Sequence, residues 1–139
     1  MPAAPSFTNP IRQKQLISAA KSQIKYAYCP YSGDSFAAAL LGEDGVIYTG
    51  VSVENINHAS SLCAEHAAVA KAVSKGCRKF SAIAVCSGAG TPAIPCGSCR
   101  QVLAEFSPAM QILLQDEAGK IHSYPLSQLL PAAFNVKVP

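Results

Sequence analysis

Charge is scarce in this sequence. Of its 139 residues, 14% are Asp, Glu, Lys or Arg, and the formal balance is only +3. Lys21, Lys25, Lys71, Lys75 and Lys79 are scattered, and the aromatics, 7% of residues with no tryptophan, do not interleave with them. That pattern offers neither a basic groove nor a stacking platform, so the lysines read as solvated helix faces and no nucleic-acid partner is expected. No apolar run approaches the ~18–20 residues of a membrane-spanning helix, so no membrane partner is expected. Repeats and low-complexity tracts are absent beyond the Pro-containing first ten residues. Met1-Pro2-Ala3-Ala4-Pro5 lacks the charged and then apolar run of a signal peptide. The expected location is therefore cytoplasmic, where thiols stay reduced.

What is present is apolar. Half of the residues are hydrophobic, high for one soluble domain of this length, and part of that surface is expected to be buried against other copies of the chain. Six cysteines in a reducing compartment read as metal ligands or small core residues rather than a disulfide framework. Cys29, Cys77 and Cys86 read as core or partly exposed residues.

Residues 1–10 read as a flexible segment and 11–139 as a single domain. Ile17, Ala20, Ile24 and Ala27 recur at helical spacing, which predicts a helix from Ile11 to Cys29, stopped by Pro30. Ser35–Leu41 and Val46–Val53 are β-prone and flank Glu43-Asp44-Gly45, a hairpin signal. Cys63–Lys75 reads as a helix closed by Gly76, Phe80–Cys86 as a buried strand, and Cys99–Phe106 as a helix ended near Pro108. Gln111–Gln115 and Ile121–Tyr124 read as strands, and Ser127–Leu130 as a short helix. The order α-β-β-α-β-α-β-β-α implies an α/β fold with one mixed five-stranded sheet covered by helices. Tyr26, Tyr28 and Tyr31 are expected to pack, and His122 to lie at the surface.

Two segments carry chemistry. Cys63-Ala64-Glu65-His66 opens one helix and Pro95-Cys96-Gly97-Ser98-Cys99-Arg100-Gln101 opens another. A lone Cys-x-x-Cys is common to redox and structural sites. A third cysteine with an acid two residues on is more specific. Three thiolates leave a tetrahedral Zn²⁺ one open position, where water becomes acidic enough to supply hydroxide. Glu65 can then carry protons without being a ligand. Helix N-termini stabilise thiolates through free N–H groups and the positive dipole end. Three thiolates on one Zn²⁺ still leave negative charge, and Arg100 is placed in sequence to offset some of it.

These motifs resemble the cytidine deaminase family, in particular its small homotetrameric branch, over about Ala19 to Phe134. Tyr28-Cys29-Pro30-Tyr31-Ser32, Ala38-Ala39-Leu40-Leu41, Val53-Glu54-Asn55 and Leu129-Leu130-Pro131 add to the likeness. The resemblance implies an α-β-α sandwich, one zinc per subunit, and assembly as a tetramer around a small cytosine nucleoside. Its known chemistry is attack of activated water on C4 of cytosine, with Glu65 protonating N3 and the departing ammonia, to give uracil. It further implies that the Ala64 N–H meets the pyrimidine O2 and that the Pro95 carbonyl accepts from the amino group. Glu54 would bind a ribose hydroxyl, and Phe134 would close the pocket of a neighbouring subunit.

Four positions depart from the family pattern. Ser52, in Gly50-Val51-Ser52-Val53-Glu54-Asn55, replaces an Asn that shares a ribose hydroxyl with the Glu. Asp34 stands where relatives have an aromatic near the base, and Phe36 substitutes only if its strand aims it there. His58 replaces a common Tyr, and His66 a common Arg beside the sulfurs. Two readings follow: tolerated variation in an enzyme that uses cytidine or deoxycytidine in pyrimidine salvage, or altered choice, with Asp34 favouring a cationic or N4-modified cytosine nucleoside such as a nucleoside antibiotic. A competing reading makes His66 the fourth ligand of a closed Cys₃His site in a non-catalytic, zinc-stabilised interaction module. Glu65 and Pro95 have no purpose in such a site, so His66 is expected instead to donate to a sulfur. A polynucleotide deaminase is disfavoured by the modest charge.

Overall fold

The computed structural model describes Phe7 and residues 9–136. The elements run α1 (Pro10–Gln23), β1 (Phe36–Gly42), β2 (Ile47–Val51), α2 (Ala64–Ser74), β3 (Phe80–Ser87), α3 (Gly97–Phe106), β4 (Gln111–Gln115), β5 (Ile121–Pro125) and α4 (Leu126–Leu129). The strands form one sheet in the order β2-β1-β3-β4-β5, with β3 and β4 parallel and the other pairs antiparallel. This is the expected mixed sheet with helices on both faces.

Alternation along the central strands separates two apolar clusters. Ala38 and Leu40 of β1, Ile83 and Val85 of β3, and Ile112 and Leu114 of β4 face Ala64, Ala68 and Val69 of α2 and Leu103 of α3. The intervening Ala39, Leu41, Ala82, Ala84 and Leu113 face Leu16, Ile17 and Ala20 of α1. Strands covered on both faces read as unbroken apolar runs, which is why Ala37 to Leu41 shows no polar alternation. The hairpin falls at Asp44-Gly45, with Gly45 at φ +82° and Asp44 accepting from the Val46 N–H. Under α2, a side chain at Gly50 would run into the Ala68 nitrogen and the Ala64 carbonyl. Glycine there lets β2 approach the first turn of α2, the turn that carries Ala64 and Glu65.

Two expectations need revision, and a third falls largely outside the described residues. Of the segment read as flexible, residues 1–6 and 8 lie outside the described residues, as do 137–139 of the domain. Phe7 packs on the α1 cluster, while Asn9 caps α1 and Pro10 is its first residue. The first helix ends at Gln23, followed by a 3₁₀ turn at Ile24–Tyr26, and does not reach Cys29. The Tyr28 N–H donates to the Ser52 carbonyl at 3.0 Å and the Glu54 N–H to the Tyr28 carbonyl at 2.8 Å. That pairing, with the bias of Pro30 against a helical Cys29, outweighs the apolar periodicity. For the same reason Tyr26, Tyr28 and Tyr31 leave the core and are each more than half exposed. Cys77 and Cys86 are buried, and His122 lies partly exposed with its Nε2 2.7 Å from Asp116.

Candidate active site

Two helix N-termini on the same face of the sheet meet at three sulfurs. Cys63 is the N-cap of α2 and Cys96 the N-cap of α3, and neither helix has a side-chain capping bond. Cys99 follows in the first turn of α3 and is completely buried. The three Sγ atoms all lie within 4.8 Å of one another, with Cys96 and Cys99 3.6 Å apart. Burial pushes the Cys99 thiol far above the ordinary range, and the Glu65 carboxylate beside it adds to the effect. The N–H of Cys99 chiefly draws the Cys96 thiol below that range. The donor set fits Zn²⁺: soft thiolates, tetrahedral reach, and helix N–H groups to share the negative charge. Among the described residues His66 stays outside this cluster and is only partly buried. Three thiols so placed would leave a tetrahedral ion one open position.

A cavity of about 330 Å³ opens over the sulfurs, within the range of small-ligand sites. Glu65 lines its floor and is only 6% exposed. Ala64, the first residue of α2, lines it too, and its N–H has no partner within the helix. Asp34, Phe36, Ser52 and Glu54 line it as well. Phe36 reaches it by strand alternation, since it shares the face of Ala38 and Leu40. Glu54 is held in place. Its Oε1 accepts from the N–H groups of Tyr31 and Ser32 at 3.0 and 3.1 Å, and its Oε2 from the Ser32 hydroxyl at 2.6 Å. The Ser32 hydroxyl above all, then these N–H groups and the His58 charge, holds the Glu54 carboxyl below the usual range, against the opposing effect of burial.

The remaining expected residues are held by the backbone or lie outside the cavity. The Ser52 hydroxyl accepts from the Phe36 N–H at 3.0 Å, lies 3.3 Å from the Phe36 carbonyl and 3.1 Å from the Cys29 sulfur, so it anchors the start of β1. Arg100 is bound to backbone: its Nε donates to the Pro95 carbonyl at 2.8 Å and an Nη to the Leu129 carbonyl at 2.7 Å. It braces the loop that carries Cys96 and occupies one lone pair of the Pro95 carbonyl. His58 lies in a 3₁₀ turn beside Glu54 rather than in the cavity wall. Phe134 is 78% exposed and does not line the cavity of its own chain, although its carbonyl accepts from Gln101. Sequence reasoning missed Leu62 and Ile94, apolar loop residues of the cavity, and the role of Ser32. No periodicity marks such loop residues. The Tyr-Ser-Gly turn before β1 was the available signal for Ser32.

Residues 10–114 match the family model described as the cytidine and deoxycytidylate deaminase zinc-binding region. The chain belongs to this family. A cytidine deaminase of Sporosarcina psychrophila is 44% identical over 123 residues, 88% of this chain and 90% of that protein. One from Halalkalibacterium halodurans is 40% identical over 126 residues, 90% and 96% of the two chains. Among solved structures, a cytidine deaminase from Burkholderia pseudomallei superimposes with a TM-score of 0.81 at 39% identity, covering 87% of this chain and 98% of that one. The Mycobacterium tuberculosis cytidine deaminase gives 0.79 at 36% identity, covering 88% and 97%. Membership in the cytidine deaminase family, with its three-thiol cluster and adjacent buried glutamate, makes the protein an enzyme of the zinc-hydrolase type.

Proposed function

We propose that the protein deaminates cytidine and 2′-deoxycytidine hydrolytically, giving uridine or deoxyuridine and ammonia, in pyrimidine salvage. The observation that carries this reading is the open cluster of three thiols at the floor of a cavity with a buried carboxylate beside it. Cys63, Cys96 and Cys99 would hold one Zn²⁺ per subunit, which supplies the acidity that makes water a nucleophile at neutral pH. Glu65 moves protons within the closed floor, to N3 of the cytosine and then to the leaving amine. The Ala64 N–H offers a donor to the pyrimidine O2, and the second lone pair of the Pro95 carbonyl an acceptor for the amino group. Phe36 supplies apolar surface to the base, and Glu54 accepts from the sugar. The decisive test follows the ultraviolet absorbance of cytidine and deoxycytidine with zinc-loaded protein and with Glu65→Ala. Conversion by the first and not the second is expected; no conversion by the zinc-loaded protein would overturn the reading.

A second substrate reading rests on one observation. Asp34, Glu54 and Glu65 all line the cavity, and among the described residues no Lys, Arg or His does. That electrostatic setting favours a cytosine nucleoside bearing a positive charge over one bearing a phosphate. A higher kcat/KM for a cationic N4-substituted cytosine nucleoside than for cytidine would favour this reading, and comparable values would remove its support.

The homotetramer and the cytoplasmic location belong to the same proposal. The exposure of Phe134 and its distance from its own cavity fit a residue that completes a neighbour's site. Sedimentation of the purified chain at four times 14.5 kDa is the expected result.

A further inference from the structure

We infer that Ser32 is a positioning residue that presents one remaining acceptor site of Glu54 to the sugar, so that the two side chains work as a unit. The inference rests on the cytosine-nucleoside reading above. An ionised carboxylate has about four lone-pair sites. Two on Oε1 are taken by the N–H groups of Tyr31 and Ser32. One on Oε2 is taken by the Ser32 hydroxyl at 2.6 Å. The Ser32 oxygen is itself fixed, because it accepts from the Asp34 N–H at 3.0 Å. The turn depends on Gly33 at φ +77°, whose N–H donates to the Cys29 carbonyl at 3.1 Å. These bonds leave a single acceptor site on Glu54. The neighbouring Ser52 adds none, since its hydroxyl is engaged with Phe36 and Cys29. The carboxylate is thus aimed before substrate arrives, which removes an ordering cost from binding.

The experiment compares wild type, Ser32→Ala, Ser32→Thr, Glu54→Gln and the Ser32→Ala/Glu54→Gln pair, all zinc-loaded, in cytidine turnover and thermal melting. Ser32→Ala is expected to raise KM about tenfold with kcat within about twofold, the size of one charge-assisted hydrogen bond and the pattern of lost uniform binding. Ser32→Thr, which keeps the hydroxyl, is expected to restore KM. The pair is expected to fall no further than Glu54→Gln alone, the mark of two groups acting together. An unchanged KM in Ser32→Ala, a Thr variant as weak as the Ala variant, or a pair whose loss is the product of its two parts would each overturn the inference. Should Ser32→Ala not fold, Ser32→Cys takes its place, with the same outcomes. A wild type inert toward cytidine would overturn the functional reading and this inference together, whereas an active wild type with an indifferent Ser32→Ala overturns this inference alone.

Discussion

The two faces of the sheet begin their helices in opposite ways. On one face α1 starts with a favoured cap: the Asn9 side chain accepts from the N–H groups of Ile11 and Arg12, and Pro10 occupies the first turn. On the other face α2 and α3 start with cysteines, which stand outside the favoured capping set, and the Cys96 sulfur draws on the N–H groups of Cys99 and Ser98. A good cap is worth about 1 kcal/mol, so the second face forgoes roughly that much at each helix. What it gains is helix N–H groups directed at sulfur beside a cavity. One face is arranged for stability alone. The other gives its helix ends to a site that a metal and a substrate would complete.

Metal removal separates the faces most sharply. Chelation of the zinc-loaded protein is expected to abolish turnover and lower the melting temperature, because the ligand binds only the folded chain. Restored activity on adding Zn²⁺ would complete the test, and an indifferent protein would mean that the thiols hold no metal. Next in size is Cys96→Ala, which is expected to lose stoichiometric zinc in metal analysis while leaving the circular dichroism of the sheet and α1 intact. Glu65→Ala is expected to cost about 10²–10⁴-fold in kcat, the span of general acid–base catalysis, with zinc content unchanged. On the α1 face the effects reverse. Leu16→Ala, at a fully buried position, is expected to cost about 2–5 kcal/mol in denaturant unfolding and to leave kcat within twofold. The smallest effect is Asn9→Ala, about 1 kcal/mol of stability with turnover untouched. Loss of activity in either α1 variant, measured below its unfolding transition, would break the division between the faces.

Legibility in the sequence follows the same division. Buried periodicity gave the element order, since Ile17, Ala20 and Ile24 repeat as a helix must and the doubly covered β1 and β3 read as apolar runs. The metal cluster was equally legible, because Cys-x-x-Cys at a helix start fixes two sulfurs locally and Cys63 was marked by Glu65. What was hidden depended on distant backbone. The end of α1 was set by Tyr28 pairing beside Val53. Ser52 was drawn to the Phe36 backbone, and Arg100 was claimed by two carbonyls, one of them 29 residues away. Such partners carry no side-chain signal, so residue type alone could not show these bonds. Phe36 was open for a different reason: its direction depends on strand register, which one residue of slip would reverse.

The brace at Arg100 also sets an order in time. A ribosome emits the chain from its N-terminus at about 5–20 residues per second. The residues of α1, β1 and β3 are all emitted before Leu129, so the loop carrying Cys96 receives its Leu129 brace only after them. That brace is a late latch, supplied to the Cys96 loop by a part of the chain made after everything on the α1 face.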